Sequence, residues 1–194
     1  MKQFSIYPPV SVKALKPGLL LIAEPLLHDT NFTRSVILLC EHSEEGSVGF
    51  VLNQTTELKL GNILTGMRPS GPVVYKGGPV QPGTLHLMHR LPGVLGGGME
   101  ITKGVYWGGS FDKLSDISGS DKYNEEDIRL FLGYSGWAPG QLEAEIKEGN
   151  WLIANANENL LFNTKHEDIW KQAIALLGKK YAYLAHIPTD PQLN

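Results

Sequence analysis

Glycine and proline cut this chain into short pieces: 22 glycines and 12 prolines are scattered through its 194 residues. Glycine loses more backbone entropy on folding than any other residue, so such a load is tolerated only where tight turns or close backbone approaches require it. The glycines follow neither the triplet period of collagen nor a Gly/Ser linker pattern. They point to a sheet-rich fold with many corners.

The pieces between the glycines read mainly as strands. Residues 18–23, 35–40 and 47–53 are apolar runs of strand length, and the polar, glycine-ended stretch 42–46 predicts a hairpin turn. Residues 73–76, 83–90, 105–107, 128–134 and 151–154 are further strand candidates, with Gly77 to Pro82 expected to break the ladder between the first two. Residues 56–67 predict a short helix capped by Thr56 and weakened by Gly61. A clearer helix follows Pro139, which suits its first turn. Leu142 and Ile146 share one face of it, Glu143 and Lys147 form an i,i+4 pair, and Gly149 ends it. The last helix starts at Thr164 in a capping box with Glu167, buries Ile169, Trp170, Ala173, Ile174 and Leu177, and ends at Gly178. Residues 112–127 read as a solvated loop or helix start, and 185–191 as an extended finish. Mixed strands with two good helices argue for one compact domain over 1–194, its core at about 15–188. The class is mixed α/β, α+β-like, rather than repeated βαβ units.

Seventeen basic and 20 acidic side chains leave a formal charge of -3, which gives no overall steering toward DNA or anionic membranes. The single cysteine, Cys40, excludes an intrachain disulfide. The N-terminal residues lack a basic segment followed by an apolar one, and no apolar run approaches the roughly 20 residues needed to span a bilayer. The expected location is the cytoplasm, with no membrane partner.

Several motifs stand in a recognisable order. They are Asn31-Phe32-Thr33-Arg34-Ser35-Val36 leading to Cys40-Glu41-His42, then Gly49-Phe50-Val51-Leu52-Asn53, and Tyr75-Lys76-Gly77-Gly78-Pro79-Val80. The strongest is Leu132-Gly133-Tyr134-Ser135-Gly136-Trp137-Ala138-Pro139-Gly140-Gln141-Leu142-Glu143, followed by Glu145-Ile146 and Trp151-Leu152. Together they span roughly residues 18–188, and on them the chain closely resembles the YqgE/AlgH family of small bacterial cytosolic proteins. The resemblance implies a compact α/β fold with a distorted, partly barrel-like sheet. The AlgH name carries an attribution to transcriptional regulation of alginate production, but the family supplies no established catalytic or DNA-reading residue to carry over. Ser135 and Ala138 stand where Ala and Gly are frequent in the family, and neither change removes a reactive group.

Few residues carry a chemical pattern. Glu24, Arg34 and His42, with His28, Asp29, Cys40 and Glu41, bracket two strands; the arginine suits a carboxylate or phosphate and Glu with His suits proton transfer. The same residues serve equally as turn formers, ion-pair partners and core. Gly77 and Gly78 invite an anion nest, but Pro79 removes a donor and neither phosphate-loop fingerprint is present. The Trp137–Gln141 corner offers an aromatic plate near a helix N-terminus, suited to an anionic group or a partner peptide, or simply to packing. Ser135 lacks the second glycine of a nucleophile elbow. His86 and His89, three apart, face opposite sides of a straight strand, and no metal-ligand spacing occurs.

The reading is therefore a cytosolic binding or accessory protein with an indirect role in transcriptional regulation. Its site candidates are Glu24, Arg34, His42, Gly77, Gly78 and Trp137, and the partner is another protein or a small anionic ligand. No catalytic set, metal or cofactor is assigned, and the sequence leaves oligomeric state open. The alternatives are an enzyme or small-anion binder using Glu24, Arg34 and His42, and a direct DNA-binding regulator. No helix-turn-helix is visible to favour the last.

Overall fold

The apolar runs near the N-terminus are buried on both faces, which is why they show no polar alternation. They form β1 (Leu19–Ala23) and β2 (Val36–Ser43), joined through a two-residue turn at Glu44-Glu45 to β3 (Gly46–Val51). The computed structural model describes residues 15–64, 71–117 and 124–188. After β3 come β4 (Thr55–Lys59), the single turn α1 (Leu60–Ile63), β5 (Val73–Lys76), β6 (Val80–His89) and a second single turn, α2 (Pro92–Leu95). Then follow β7 (Met99–Thr102), β8 (Val105–Trp107), α3 (Phe111–Ile117), β9 (Ile128–Trp137), α4 (Gln141–Glu148), β10 (Trp151–Asn155) and α5 (His166–Leu176). A π-helical turn at Asn159–Asn163 precedes α5, and a 3-10 segment at Lys179–His186 follows it.

The strands make one large sheet in the order β10-β1-β2-β3-β9-β6-β8-β7, with β4 and β5 attached to one side of β9. Every pairing is antiparallel except β5 with β9. The sheet is distorted, as the family resemblance implies, with register shifts in four of its ladders. Its path does not close, since β10 and β7 are its ends. The domain is mixed α/β with few helices. Among the described residues no helix is long and apolar enough to cross a membrane.

β9 organises the whole. One edge pairs with β6, while the other pairs first with β5 along Leu130–Leu132 and then with β3 along Ser135–Trp137. The change of partner falls at Gly133, whose φ of 66° is left-handed. At that point the segment after β5 dives under β9. The Gly77 N–H donates to the Leu132 carbonyl at 2.8 Å, and the Gly77 carbonyl accepts the Val51 N–H at 2.9 Å. A Cβ on Gly77 would lie 2.3 Å from the Gly133 carbonyl oxygen, so the chains cross at glycine-only separation. The buried Ser135 hydroxyl adds a 3.1 Å bond to the same Gly77 carbonyl.

Alternation along β1 and β2 sends side chains to two cores. Leu20, Ile22, Val36 and Leu38 face α5, where they meet Ile169, Trp170, Ala173 and Ile174. Leu21, Ala23, Ile37 and Leu39 face the other way, onto Leu142 and Ile146 of α4. A third cluster joins β5, β6 and β9 to the short helices through Leu60, Val74, Leu87, Leu95 and Leu114. Each fully buried Leu or Ile contributes about 1.5–3 kcal/mol, so the sheet is clamped from both sides.

Cys40 is fully buried in the α5-side core, and burial drives its thiol pKa far above the ordinary value. Because the thiolate is the reactive form, iodoacetamide at mildly alkaline pH is expected to alkylate the native protein at roughly a hundredth or less of the rate for the urea-unfolded chain. Comparable rates, read by mass spectrometry, would contradict this placement.

Several local expectations are corrected. Thr56 caps no helix: it lies in β4, and its hydroxyl donates to the Val74 carbonyl at 2.7 Å, so cross-strand bonding wins; residues 65–67 of that expected helix lie outside the described residues. Pro139 precedes α4, whose N-cap position belongs to Gly140 at φ 76°. Thr164 does not start α5. Its buried hydroxyl lies against the Asn159 carbonyl and the Gln172 amide oxygen at 3.1 and 3.0 Å, and α5 begins at His166. The C-terminal finish is helical to His186 because Leu184 is drawn into the core, and residues 189–191 lie outside the described residues. Gly149, at φ 87°, does end α4, and Gly178, at φ 94°, follows α5.

Candidate functional site

β9 delivers Trp137 at its C-terminal end, beside α4, and the turn after α4 returns β10 with Trp151 alongside it. The indole N–H groups of Trp137 and Trp151 converge on one carboxylate oxygen of Glu145, at 2.8 and 2.7 Å. The Gln141 amide donates to the other oxygen at 2.9 Å, while its own carbonyl oxygen accepts the Ala138 N–H at 3.0 Å. One glutamate thus satisfies two nearly buried indoles and locks the turn that starts α4.

Two adjacent surface depressions meet at this corner, sharing Gly136 and Trp137 in their linings. The larger, about 410 Å³, opens beside the β2–β3 hairpin and is lined by Glu41, Glu45, Val48, Val80 and Tyr134. The smaller, about 270 Å³, opens beside Asp29, Phe32, Glu145, Asn150 and Trp151. In the smaller one the Trp151 ring stands at 71° to Phe32 and 81° to Trp137, with centroids 5.5 and 6.0 Å away. Both depressions carry carboxylates, and among the described residues no lysine or arginine lines either.

The structure scatters most of the residues expected from sequence. Glu24 and Arg34 flank the same end of the β1–β2 pair. The Glu24 carboxylate accepts the Leu26 N–H at 2.8 Å. Arg34, left-handed at φ 50°, lays its guanidinium 4.8 Å from the Trp170 ring centre and donates to the Ile187 carbonyl, tying down the C-terminal segment. His42 is eight residues along from Arg34, roughly 25 Å away at strand rise. There its Nδ1 lies 2.9 Å from the Ser47 hydroxyl and its Nε2 3.8 Å from Glu143. Gly77 and Gly78 are buried beneath β9. Of the six, only Trp137 lines the paired depressions; His42 flanks them through its neighbours Glu41 and Ser43, and Gly78 through Pro79 and Val80.

His86 and His89 point to opposite faces, as their spacing requires. His86 sits among Phe50, Trp107 and Tyr134, and His89 stacks on Tyr106. Burial pushes both below the ordinary value of 6.5, with Gly97 and Gly108 partly opposing it at His89. A lowered folded-state pKa means that the unfolded chain binds more protons as acid is added. The stability both contribute is complete above about pH 6.5 and is lost as the pH falls below it. The urea midpoint is therefore expected to drop between about pH 7.5 and pH 5.5, and the double variant His86→Gln, His89→Gln to flatten that slope. An unchanged slope would refute the assignment. Among the described residues no group of three or more His, Cys, Asp or Glu side chains is placed to hold a metal ion.

Sequence reasoning singled out Trp137 and Gln141 but missed Phe32, Glu145 and Trp151 as their companions. The available signal was Gln141 and Glu145, four apart on one helix face, with a tryptophan just outside each end of that helix.

Comparison with known proteins fits this geometry into a family. The AlgH-like family model (DUF179) matches residues 20–182. A UPF0301 protein of Chlorobaculum tepidum is 41% identical over 180 residues, covering 93% of this chain and 96% of the relative. A UPF0301 protein of Cytophaga hutchinsonii is 36% identical over 181 residues, covering 93% and 100%. Among solved structures, the AlgH protein of Pseudomonas aeruginosa superposes with a TM-score of 0.68 at 30% identity, covering 94% of this chain and 98% of that one. A Corynebacterium diphtheriae protein shares the fold, with a TM-score of 0.75 at 23% identity and coverage of 95% and 99%. With a family model spanning most of its length and relatives aligned nearly end to end, this chain belongs to the AlgH-like family, the UPF0301 or YqgE/AlgH proteins.

Proposed function

We propose that this protein is an accessory binding protein of the cytoplasm that docks another protein at the Trp137 corner, any effect on transcription passing through that partner. The observation that carries the reading is the pair of depressions joined at Gly136 and Trp137, with aromatic and carboxylate groups in their walls. Aromatic side chains at the centre of a concave surface are the usual anchors of protein recognition. The polar groups proposed from sequence for catalysis are dispersed over the sheet, and Arg34 is engaged in holding the C-terminal segment. The acidic linings and the net charge of -3 do not suit a phosphate backbone or a small anion.

The test is site-specific photocrosslinking in cells. A photoreactive phenylalanine analogue at Glu45, on the rim of the larger depression, is expected to give a discrete adduct. The same analogue at Lys171, exposed on α5, is expected to give none. Identical adducts from both positions, or none from Glu45, would contradict the proposal.

A further inference from the structure

We infer that the open end of the curled sheet binds a small uncharged heteroaromatic molecule, a flat bicyclic ring with a nitrogen on its edge, which enters beside Tyr134 and hydrogen-bonds His86. This goes beyond the docking reading and does not rest on it. The sheet curls until Gly18, just before β1, lies against β7 at the far edge: a Cβ on Gly18 would come within 3.1 Å of the Ile101 carbonyl oxygen and of the Thr102 side chain. On the inner face so formed, α5 covers the strands around Ile22 and Val36. The larger depression, about 410 Å³, opens on the same face near the other end of β2 and β3, at Glu41 and Val48.

Two neighbouring rows of inward-facing residues meet there. Val48 stands opposite Gly136 and Val80 opposite Tyr134, and these four line the depression. The deeper row follows along β3, where Phe50, on the same face as Val48, packs with His86, Trp107 and Phe131 at centroid distances of 5.0, 5.3 and 5.0 Å. Tyr134 joins the rows, standing at 86° to His86 with centroids 5.9 Å apart. Phe50 is fully buried, whereas His86, Trp107 and Tyr134 are only half-buried, and a side-chain rotation of Tyr134 admits the ligand to the deeper row.

His86 Nε2 is the exception among these ring carbons: it is shut off from water, and no hydrogen-bond partner reaches it among the described residues. An unpaired buried polar atom is costly, and nearly all such atoms in folded proteins have partners. Burial also lowers the His86 pKa, which keeps the imidazole neutral. A neutral imidazole among aromatic rings selects an uncharged ring over a charged group, which would lose its hydration there. Its Nε2 accepts from a ligand N–H or donates to a ligand ring nitrogen according to the tautomer. The volume of the depression and its place at the mouth of a curled sheet are those of small-molecule sites.

The test is a titration of the whole protein, at about pH 7.5 where the imidazole is neutral, with benzimidazole and with indene, which has the same bicyclic shape and no nitrogen. Binding is followed in ¹⁵N–¹H spectra and by intermolecular NOEs. Benzimidazole is expected to bind at least about tenfold more tightly than indene, the worth of one hydrogen bond, to shift the Trp107 indole signal and to give NOEs to the Tyr134 and Trp107 rings. His86→Phe, which keeps a ring and removes both nitrogens, is expected to bring benzimidazole down to the level of indene while leaving indene within about twofold. Equal binding of the two by the native protein, a comparison that needs no variant, would overturn the hydrogen bond to His86 and with it the heteroaromatic class. No binding of either up to about 10 mM, or NOEs only to rings other than Phe50, Trp107 and Tyr134, would overturn the site. Benzimidazole failing while the Glu45 crosslink still forms would remove this inference alone, and loss of the crosslink with benzimidazole bound would remove docking alone.

Discussion

Gly133→Ala is expected to destabilise the protein by about 3–5 kcal/mol, enough to leave a marginal domain largely unfolded at 37 °C. The cost has two sources. A residue with a Cβ is strained at φ 66°, by roughly 1 kcal/mol or more. The new Cβ would also lie 2.7 Å from both the Gly78 and Val80 carbonyl oxygens, which are backbone atoms with no freedom to swing aside. Relief requires β9 to lift away from the 77–80 segment, breaking the crossing that joins β3, β5 and β6 through one strand. Ser135→Ala, two residues on, removes one hydroxyl bond to a carbonyl that keeps its Val51 N–H partner, and is expected to cost under about 1 kcal/mol. Urea denaturation of the two variants reads both values. A Gly133→Ala loss as small as that of Ser135→Ala would show that the crossing is not under the stated constraint.

Glu145→Leu should cost about 2–5 kcal/mol, because it strands the two indole N–H groups that converge on this carboxylate. Trp137 and Trp151 are only 6% and 3% exposed, so water cannot replace the lost acceptor without opening the corner. Glu145→Gln should cost only about 1 kcal/mol, since its amide oxygen serves both indoles and only the contact with Gln141 turns donor against donor. The contrast separates hydrogen bonding from charge: equal losses for Leu and Gln would mean that the carboxylate's charge holds the corner. Thermal melts followed by near-UV circular dichroism, which sees tryptophan packing, distinguish the cases.

How far the sequence anticipates this molecule depends on where each signal resides. β1, β2 and β3 are legible because their apolar runs are buried on both faces and the turn between the last two is local. β7 goes unread because Met99, Glu100 and Thr102 are exposed or half-exposed and pair only through register with β8. Thr164 with Glu167 has the form of a helix start, yet the contact that overrides it is Gln172, which no local pattern weighs. Gly77 and Gly78 announce a special backbone without saying which kind; the answer is a strand crossing against Gly133, more than fifty residues away. The site follows the same logic. Trp137 stands out in a dense motif, but Phe32 and Trp151 join it only because β10 lies beside β1 and α4 packs across the sheet.

The four tryptophans offer the most direct test of the proposed docking corner, since two lie in it and two do not. Trp107 is on β8 and Trp170 on α5, where its indole donates to the Ala23 carbonyl. In ¹⁵N–¹H spectra of the full chain titrated with the partner caught at Glu45, the indole signals of Trp137 and Trp151 are expected to shift together and saturate. Those of Trp107 and Trp170 should stay in place. Movement of Trp107 or Trp170 with the other pair unchanged, or no movement at all with that partner, would contradict the account.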